Sequence, residues 1–264
     1  MDLGISGKTA LVLGSSRGLG FGVAAALAAE GVDVMIAARN EDRLAEAVSR
    51  LREDHAAGGR VESRVCDLAE PAGVEVLAEN ALKSLGQVDI LVNNTGGPPP
   101  GPVSGVAPEV WSAQFETMIL SVMRMTARLL PDMRTRKWGR ILTIVSSGVI
   151  QPIPLLGISN TLRPALVGWS KTLANEVAKD GVTVNCIAPG RIHTDRTNEI
   201  DQAAAERLGI SLDEVAARSR ATIPMGRYGD VEEFGAAAAF LASARASYVT
   251  GSIVRVDGGL IQST

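Results

Sequence analysis

The sequence predicts an α/β protein built on a parallel sheet of about seven strands, with helices on both faces. Short apolar runs alternate with helical runs along almost the whole chain, and most connections between them are short. Such alternation is typical of right-handed β-α-β units, which assemble into a doubly wound sheet. The sequence contains no internal repeat and no linker, so residues 1–264 are predicted to form a single domain.

The elements follow one another in a regular order from the N-terminus. Apolar runs predict the strands, and the longer patterned runs between them predict the helices. The predicted strands are residues 8–14, 32–38, 61–66, 88–92, 139–146, 181–188 and 252–257. The predicted helices are residues 18–30, 41–55, 71–86, 108–137, 159–180 and 230–243. A helix thus separates every two consecutive strands, as the crossovers of a parallel sheet require.

Two segments interrupt this alternation. Residues 96–108 are too rich in Pro and Gly for either a strand or a helix. Residues 190–229 form a long excursion after Pro189, with a helical pattern at residues 201–220. Long insertions at the carboxyl edge of a parallel sheet usually hold substrate, and a plain surface loop is the equal alternative. The substrate segment is therefore expected at about residues 190–229.

A glycine-rich turn joins the first predicted strand to the first predicted helix. The apolar run Thr9–Leu13 ends at Gly14, and Gly18 and Gly20 open a helical run of small residues. Gly14 permits the tight turn, Gly18 lets a phosphate approach the backbone, and Gly20 lets the helix pack closely on its strand. Backbone N–H groups and the positive end of the helix then favour a diphosphate. The turn predicts a Rossmann-type, dinucleotide-binding fold.

Bulk composition argues against several classes of protein. A formal net charge of −3 is unfavourable for a nucleic-acid-binding surface. No apolar window is long enough to span a bilayer, and the first residues lack the features of a signal peptide. Cys66 and Cys186 lie in apolar runs and are expected to be buried free thiols, and no metal site is expected. These features predict a cytoplasmic protein without nucleic-acid or membrane partners.

The order of the motifs resembles that of the short-chain dehydrogenase/reductase family. Residues 14–20 match the family's TGxxxGxG phosphate loop, and residues 93–96 match its NNAG motif. Residues 189–194 match the segment that covers the nicotinamide, and residues 249–259 match the C-terminal signature. The matches run in family order across nearly the whole chain and are most similar to those of 3-oxoacyl-[acyl-carrier-protein] reductases.

The resemblance implies which residues bind the dinucleotide. Asp67 is expected to hold the adenine amino group, and Arg163 is expected to hold the nicotinamide ribose. The other implied cofactor-binding residues are Gly14, Ser16, Arg17, Gly18, Leu19, Gly20, Leu68, Asn94, Gly96, Pro189, Gly190, Ile192 and Thr194.

The end of the second strand indicates which nicotinamide dinucleotide is used. NAD-binding members place an acidic residue there to accept from the ribose hydroxyls, whereas this chain has no carboxylate between Ala37 and Asn40. Arg39, and Arg17 in the glycine turn, would instead attract a 2′-phosphate. Unless both arginines are ordinary surface charges, NADP(H) is expected in preference to NAD(H).

The catalytic positions implied by the resemblance are largely replaced. The family reduces carbonyls with a Ser, a Tyr, a Lys and a supporting Asn. The serine is present as Ser147 or, in the alternative alignment, as Ser146. Counting along the next helix places Ser159 at the tyrosine position and Arg163 at the lysine position. Met118 stands where the Asn is expected.

These replacements change the proton chemistry that is expected. The Ser159 hydroxyl is a far weaker acid than a phenol and too short to reach the same carbonyl oxygen. Arg163 stays charged and cannot relay a proton, although it can donate to ribose hydroxyls. His193, beside the expected nicotinamide cover, is an alternative proton donor, with a solvent-facing loop position as the favoured interpretation. His55 ends a charged helix and is expected at the surface.

Two functions are compatible with this pattern. The first is an NADP(H)-dependent oxidoreductase that interconverts a carbonyl and an alcohol on a small molecule, with Ser147 polarising the carbonyl and water or His193 supplying the proton. The second is a catalytically inactive nucleotide-binding subunit, because the phosphate turn is kept while the proton donor is lost. We expect the first. Asp195 and Arg196 either pair with each other or bind an acidic substrate.

The resemblance also implies a homodimer or homotetramer, since closed symmetric assemblies are common. Family members pair through two long helices, here residues 108–137 and 159–180. Met123, Leu166 and Trp169 are apolar positions on these helices that are expected to be exposed.

Overall fold

The seven predicted strands are all present in the computed structural model, which describes residues 1–54 and 59–263. They are β1 (Thr9–Leu13), β2 (Asp33–Ala38), β3 (Val61–Val65), β4 (Ile90–Asn93), β5 (Gly139–Ile144), β6 (Val182–Pro189) and β7 (Ile253–Val256). Their order across the sheet is β3-β2-β1-β4-β5-β6-β7, and every pairing is parallel. The predicted doubly wound sheet is confirmed.

Helices cover both faces of this sheet. They are α1 (Gly18–Ala29), α2 (Glu41–Asp54), α3 (Pro71–Leu85), α4 (Pro108–Phe115), α5 (Ser121–Thr135), α6 (Gly157–Val177), α7 (Asp195–Leu208), α8 (Leu212–Ala221) and α9 (Val231–Ala242). Val34 and Ile36 of β2 face α1 and α2, whereas Met35 and Ala37 face α3. This alternation follows from the two-residue period of a strand that is buried on both sides.

Two predicted helical segments are divided in the structure. The helix predicted at residues 108–137 contains a π-helical turn, Glu116–Leu120, between α4 and α5. Such a turn inserts one residue and rotates the side chains that follow it. The helical pattern predicted at residues 201–220 corresponds to α7 and α8, which separate at Gly209, where φ is +65°. The last residue of the helix predicted at residues 41–55 lies outside the described residues. The predicted surface position of His55 therefore also lies outside them.

The direction in which successive strands are added to the sheet reverses between β1 and β4, and the site lies at this point of the sheet. The connections that follow these two strands depart to opposite faces and leave a crevice at their carboxyl ends. The excursions at residues 96–108 and 190–229 both begin at this edge of the sheet. The topology therefore brings the glycine turn and the two irregular segments together.

Burial confirms one sequence interpretation and corrects another. Cys66 and Cys186 are free and buried, and burial raises the pKa of the Cys66 thiol to about 11, with the neighbouring Asp67 charge as the smaller cause. Leu166 is 1% exposed and packs in the core beside Cys186, so its predicted exposure is wrong. Met123 and Trp169 are half-buried. No helix in the described ranges is long and apolar enough to cross a membrane.

Candidate active site

The glycine turn between β1 and α1 is held in shape by its neighbours. Ser15 Oγ donates to the carbonyl oxygen of Val12 at 2.6 Å and accepts from the N–H of Ala37 at 3.1 Å. Asn94 Nδ2 donates to the carbonyl oxygen of Gly14 at 2.9 Å. These hydrogen bonds link the carboxyl ends of β1, β2 and β4 around the turn, so its backbone is fixed before any ligand arrives.

The turn has the shape and the free donors that a diphosphate needs. Gly14 has φ of +56°, and a Cβ there would lie 2.6 Å from the carbonyl oxygen of Asn94. A Cβ on Gly20 would lie 2.4 Å from the carbonyl oxygen of Gly14. Arg17 precedes α1 without a side-chain cap, so the first N–H groups of that helix are available to an anion. The site therefore fits the diphosphate of a dinucleotide.

A cavity of about 380 Å³ extends from this turn along the carboxyl edge of the sheet. Most of the predicted cofactor-binding residues line it: Gly14, Arg17, Gly18, Leu19, Arg39, Asn94, Gly96, Arg163, Pro189, Gly190, Ile192 and Thr194. The predicted residues outside its lining are Ser16, Gly20, Asp67 and Leu68. Gly20 lies behind the turn, against Gly14. The carboxylate of Asp67 accepts from the N–H of Ala69 at 3.0 Å after β3.

The predicted catalytic serines all border this cavity. Ser146, Ser147 and Ser159 all line it, and Ser147 and Ser159 are buried. Ser146 is half-buried, and its Oγ accepts from the N–H of Gly148 at 3.0 Å. This hydrogen bond fixes the oxygen and leaves the hydroxyl proton of Ser146 free to donate into the cavity.

Arg163 joins the ends of two strands behind the serines. It is 6% exposed, its Nη1 donates to the carbonyl oxygen of Ile144 at 2.8 Å, and its Nη2 donates to that of Gly96. Within the described ranges it forms no ion pair with a carboxylate. Burial, and to a lesser degree the charge of Arg196, lower the pKa of Arg163 to about 10. The guanidinium is therefore cationic at neutral pH and rigidly held.

His193 lies outside the cavity. It is exposed, and its ring centroid is 5.1 Å from that of Tyr228. Tyr228 is itself buried and donates to Asp201 Oδ2 at 2.6 Å; burial first, and this hydrogen bond second, raise the pKa of Tyr228. Among the described residues that line the cavity there is no Tyr, Lys, His or Cys. The geometry thus does not support the alternative prediction of His193 as proton donor.

The first turn of α7 covers one side of the cavity, and its charges pair differently from the prediction. Asp195 pairs with Arg17 at 2.5 Å. Arg196 pairs with Glu199 at 3.3 Å and donates to the carbonyl oxygen of Pro98 at 2.6 Å. The expected Asp195–Arg196 pair is therefore wrong, because successive residues on a helix point in different directions.

One of these contacts has a signal in the sequence and another has none. The three-residue spacing of Arg196 and Glu199 is visible in the sequence once α7 is known to begin at Asp195. The pairing of Arg17 with Asp195 joins residues 178 positions apart, and no local pattern signals it.

Met118 occupies the position at which the family resemblance implies an Asn. It is 1% exposed in the π-helical turn and packs against Ile158 and Leu162 of α6. A thioether is at most a weak acceptor and donates no hydrogen bond. Met118 therefore stabilises α6 by apolar packing and does not hold a proton-relay water.

Comparison with known proteins places the whole chain in one family. The family model described as enoyl-(acyl carrier protein) reductase matches residues 14–261. The 3-oxoacyl-[acyl-carrier-protein] reductase FabG of Escherichia coli strain K12 is 36% identical over 260 residues, which are 98% of this chain and 99% of that protein.

Solved structures agree with the sequence relatives. L-sorbose reductase from Gluconobacter frateurii, solved with NADPH and L-sorbose, superposes with a TM-score of 0.93 at 37% identity over 100% of both chains. An actinorhodin polyketide ketoreductase variant, solved with NADPH, superposes with a TM-score of 0.90 at 32% identity over 96% of this chain and 97% of that one. From its glycine turn to its last strand, the chain belongs to the short-chain dehydrogenase/reductase family.

Proposed function

We propose that the three cavity serines and Arg163 bind and orient a carbonyl group beside a nicotinamide. The protein is an NADP(H)-dependent oxidoreductase that interconverts a carbonyl and an alcohol on a small molecule. The observation that carries the residue assignment is their convergence with the glycine turn in one cavity. This combines a dinucleotide site with hydrogen-bond donors for a carbonyl oxygen.

Different residues of the chain bind different parts of NADP(H). The glycine turn and the free N–H groups of α1 bind the diphosphate. Arg39, exposed directly after β2, and Arg17 donate to the 2′-phosphate. We assign the nicotinamide ribose to Arg163 and the cover of the ring to residues 189–194, because Arg163 and most of that segment line the cavity. When bound, NADPH supplies the hydride.

The serines and Arg163 prepare the carbonyl for that hydride. Ser146 donates from its oriented hydroxyl to the carbonyl oxygen, and Ser147 and Ser159 provide further donors on the same wall. The cation of Arg163 stabilises the negative charge that develops on this oxygen as the carbonyl carbon accepts the hydride. A water at the serine hydroxyls then gives the oxygen its proton, because the described lining offers no side-chain acid suited to neutral pH.

The long excursion after β6 and the long helices also have roles in this function. Residues 190–229 form the substrate segment, since α7 supplies Arg196, Glu199 and Ile200 to the cavity wall. The protein assembles as a homodimer or homotetramer through the helical segments at residues 108–137 and 159–180, on which Met123 and Trp169 are half-buried. A cytoplasmic location stays a prediction from the sequence.

The experiment that tests the function has two steps. NADPH and NADH are first titrated into the purified protein by nicotinamide fluorescence, and a panel of neutral ketones is then reduced under saturating NADPH. We expect NADPH-selective binding and measurable turnover. Binding without turnover on any ketone would favour the inactive-subunit alternative, and no binding of either cofactor would contradict the cofactor assignment itself.

Replacing Arg39 by aspartate is expected to reverse the cofactor preference. The change removes a donor to the 2′-phosphate and puts a repelling carboxylate in its place, so the ratio of the NADH to the NADPH dissociation constant should fall about 100-fold. Arg43→Asp is the matched control, because Arg43 is exposed on α2 and does not line the cavity. An Arg39→Asp variant that keeps the wild-type ratio would show that the 2′-phosphate binds elsewhere.

Alanine variants of the two neighbouring serines should separate their roles. Ser146 carries the oriented hydroxyl, so Ser146→Ala is expected to lower kcat about 10- to 100-fold and Ser147→Ala to lower it less. The measurement is steady-state reduction of one ketone by both variants at saturating NADPH. A larger loss in Ser147→Ala would instead assign the carbonyl contact to Ser147.

A further inference from the structure

Two arginines approach the same short stretch of cavity wall from different sides. Arg163, on α6, donates to the carbonyl oxygen of Gly96, and Arg196, on α7, donates to that of Pro98 at 2.6 Å. Gly97 lies between these two carbonyls, and a Cβ there would be 3.4 Å from Arg196 Nε. Residues separated by 33 positions in the sequence therefore place two guanidinium groups at neighbouring points of one cavity.

The charges around this cavity do not balance. In the part of the chain that the structure describes, its lining holds five arginines, of which Arg191 pairs at 2.5 Å with Asp201 outside the lining. The other four, Arg17, Arg39, Arg163 and Arg196, face two lining carboxylates, Asp195 and Glu199. Asp195 forms an ion pair with Arg17 at 2.5 Å, and Glu199 lies 3.8 Å from Arg17 and 3.3 Å from Arg196. Neither carboxylate pairs with Arg163. The wall that carries Arg163 and Arg196 is therefore net positive.

The phosphates of the cofactor do not account for this excess. The diphosphate fits the glycine turn and the start of α1, and the 2′-phosphate is assigned to Arg39 and Arg17. Arg163 and Arg196 instead flank the Gly96–Pro98 segment beyond β4, where Arg163 also contacts the end of β5 beside the serines. A buried cation without a counter-charge is unfavourable. An anion on the bound substrate would supply that counter-charge.

Resting on the proposed function, we propose that the carbonyl substrate is an oxo acid, whose carboxylate is bound by Arg196 and attracted by Arg163. Arg196 is 33% exposed, so a small molecule in the cavity can reach it. Its contact with Glu199 is a partly exposed pair three residues apart on one helix, and such pairs contribute little. A substrate carboxylate can therefore replace Glu199 on Arg196 while the serines hold the carbonyl oxygen.

The test measures binding to the NADPH complex of the full-length chain by calorimetry. The probes are two acid–ester pairs, acetoacetate with its methyl ester and 2-oxobutanoate with its methyl ester. In at least one pair the acid is expected to bind about 10-fold or more tightly than the ester, because the charge-assisted hydrogen bond is available only to the carboxylate. Arg196→Gln should erase this preference, and Arg196→Lys should restore part of it.

The control variant is Arg218→Gln, since Arg218 pairs with Glu214 on α8 and does not line the cavity. It should keep the full preference for the acid. Equal binding of acid and ester in both pairs, no binding of either acid, or an unchanged preference in Arg196→Gln would overturn the carboxylate site. The proposed function is tested separately, by NADPH binding and by the reduction of neutral ketones. The carboxylate site and the proposed function can therefore be contradicted independently of each other. If NADPH does not bind, the same titrations on the protein alone decide the carboxylate site.

Discussion

Replacing Gly20 by alanine should weaken NADPH binding by about 100-fold or more. The added Cβ would lie 2.4 Å from the carbonyl oxygen of Gly14 and 2.9 Å from Asn94 Nδ2, a separation that real Cβ atoms do not show. The backbone on one side must therefore shift, and the Asn94–Gly14 hydrogen bond that shapes the turn is lost with it. The measurement is the NADPH dissociation constant by nicotinamide fluorescence, with the melting temperature recorded in parallel.

Gly168→Ala provides the matched control for this prediction. Gly168 lies in α6, and a Cβ there would meet nothing within 4 Å in this chain. Alanine also has the higher helix propensity, so this variant should bind NADPH normally and be equally or slightly more stable. If Gly20→Ala bound NADPH as tightly as Gly168→Ala does, the glycine turn would not be where the diphosphate sits.

Replacing Arg163 by methionine is expected to lower kcat/KM about 100- to 1000-fold. Methionine approximates the length of the side chain but removes the cation from the carbonyl site. It also leaves the buried carbonyl oxygens of Ile144 and Gly96 without their donor, at a cost of about 1–3 kcal/mol for each unpaired group. Arg163→Lys keeps the charge and should recover part of the activity, although a single ammonium cannot reproduce both contacts.

The dependence of turnover on pH separates this electrostatic role from a structural one. Since burial lowers the pKa of Arg163 to about 10, its cation is present below that pH and lost above it. Wild-type turnover should therefore fall as the pH rises through about 10, while Arg163→Met should show no such fall in the same range. Circular dichroism at each pH checks that the fold persists. Parallel profiles for the two proteins would contradict a catalytic role for the charge.

The order of the elements and the cofactor chemistry could be predicted from the sequence because both depend on local patterns. Each strand is an apolar run and the phosphate turn is a contiguous motif, and the backbone of Gly14 with φ of +56° shows why glycine is needed there. That Ser159 and Arg163 stand in place of the family's Tyr and Lys stays a prediction, which the family resemblance and the spacing along α6 imply.

The assembly of the site depends on contacts between residues far apart in the chain, which no local pattern encodes. Arg163 reaches Gly96 across 67 positions, Arg196 reaches Pro98 across 98, and Arg17 reaches Asp195 across 178. The sequence by itself determined the doubly wound fold and the dinucleotide turn. Only the tertiary structure decided that His193 lies outside the cavity and that two arginines share one wall of it, since distance and burial arise when separate loops meet at the edge of the sheet.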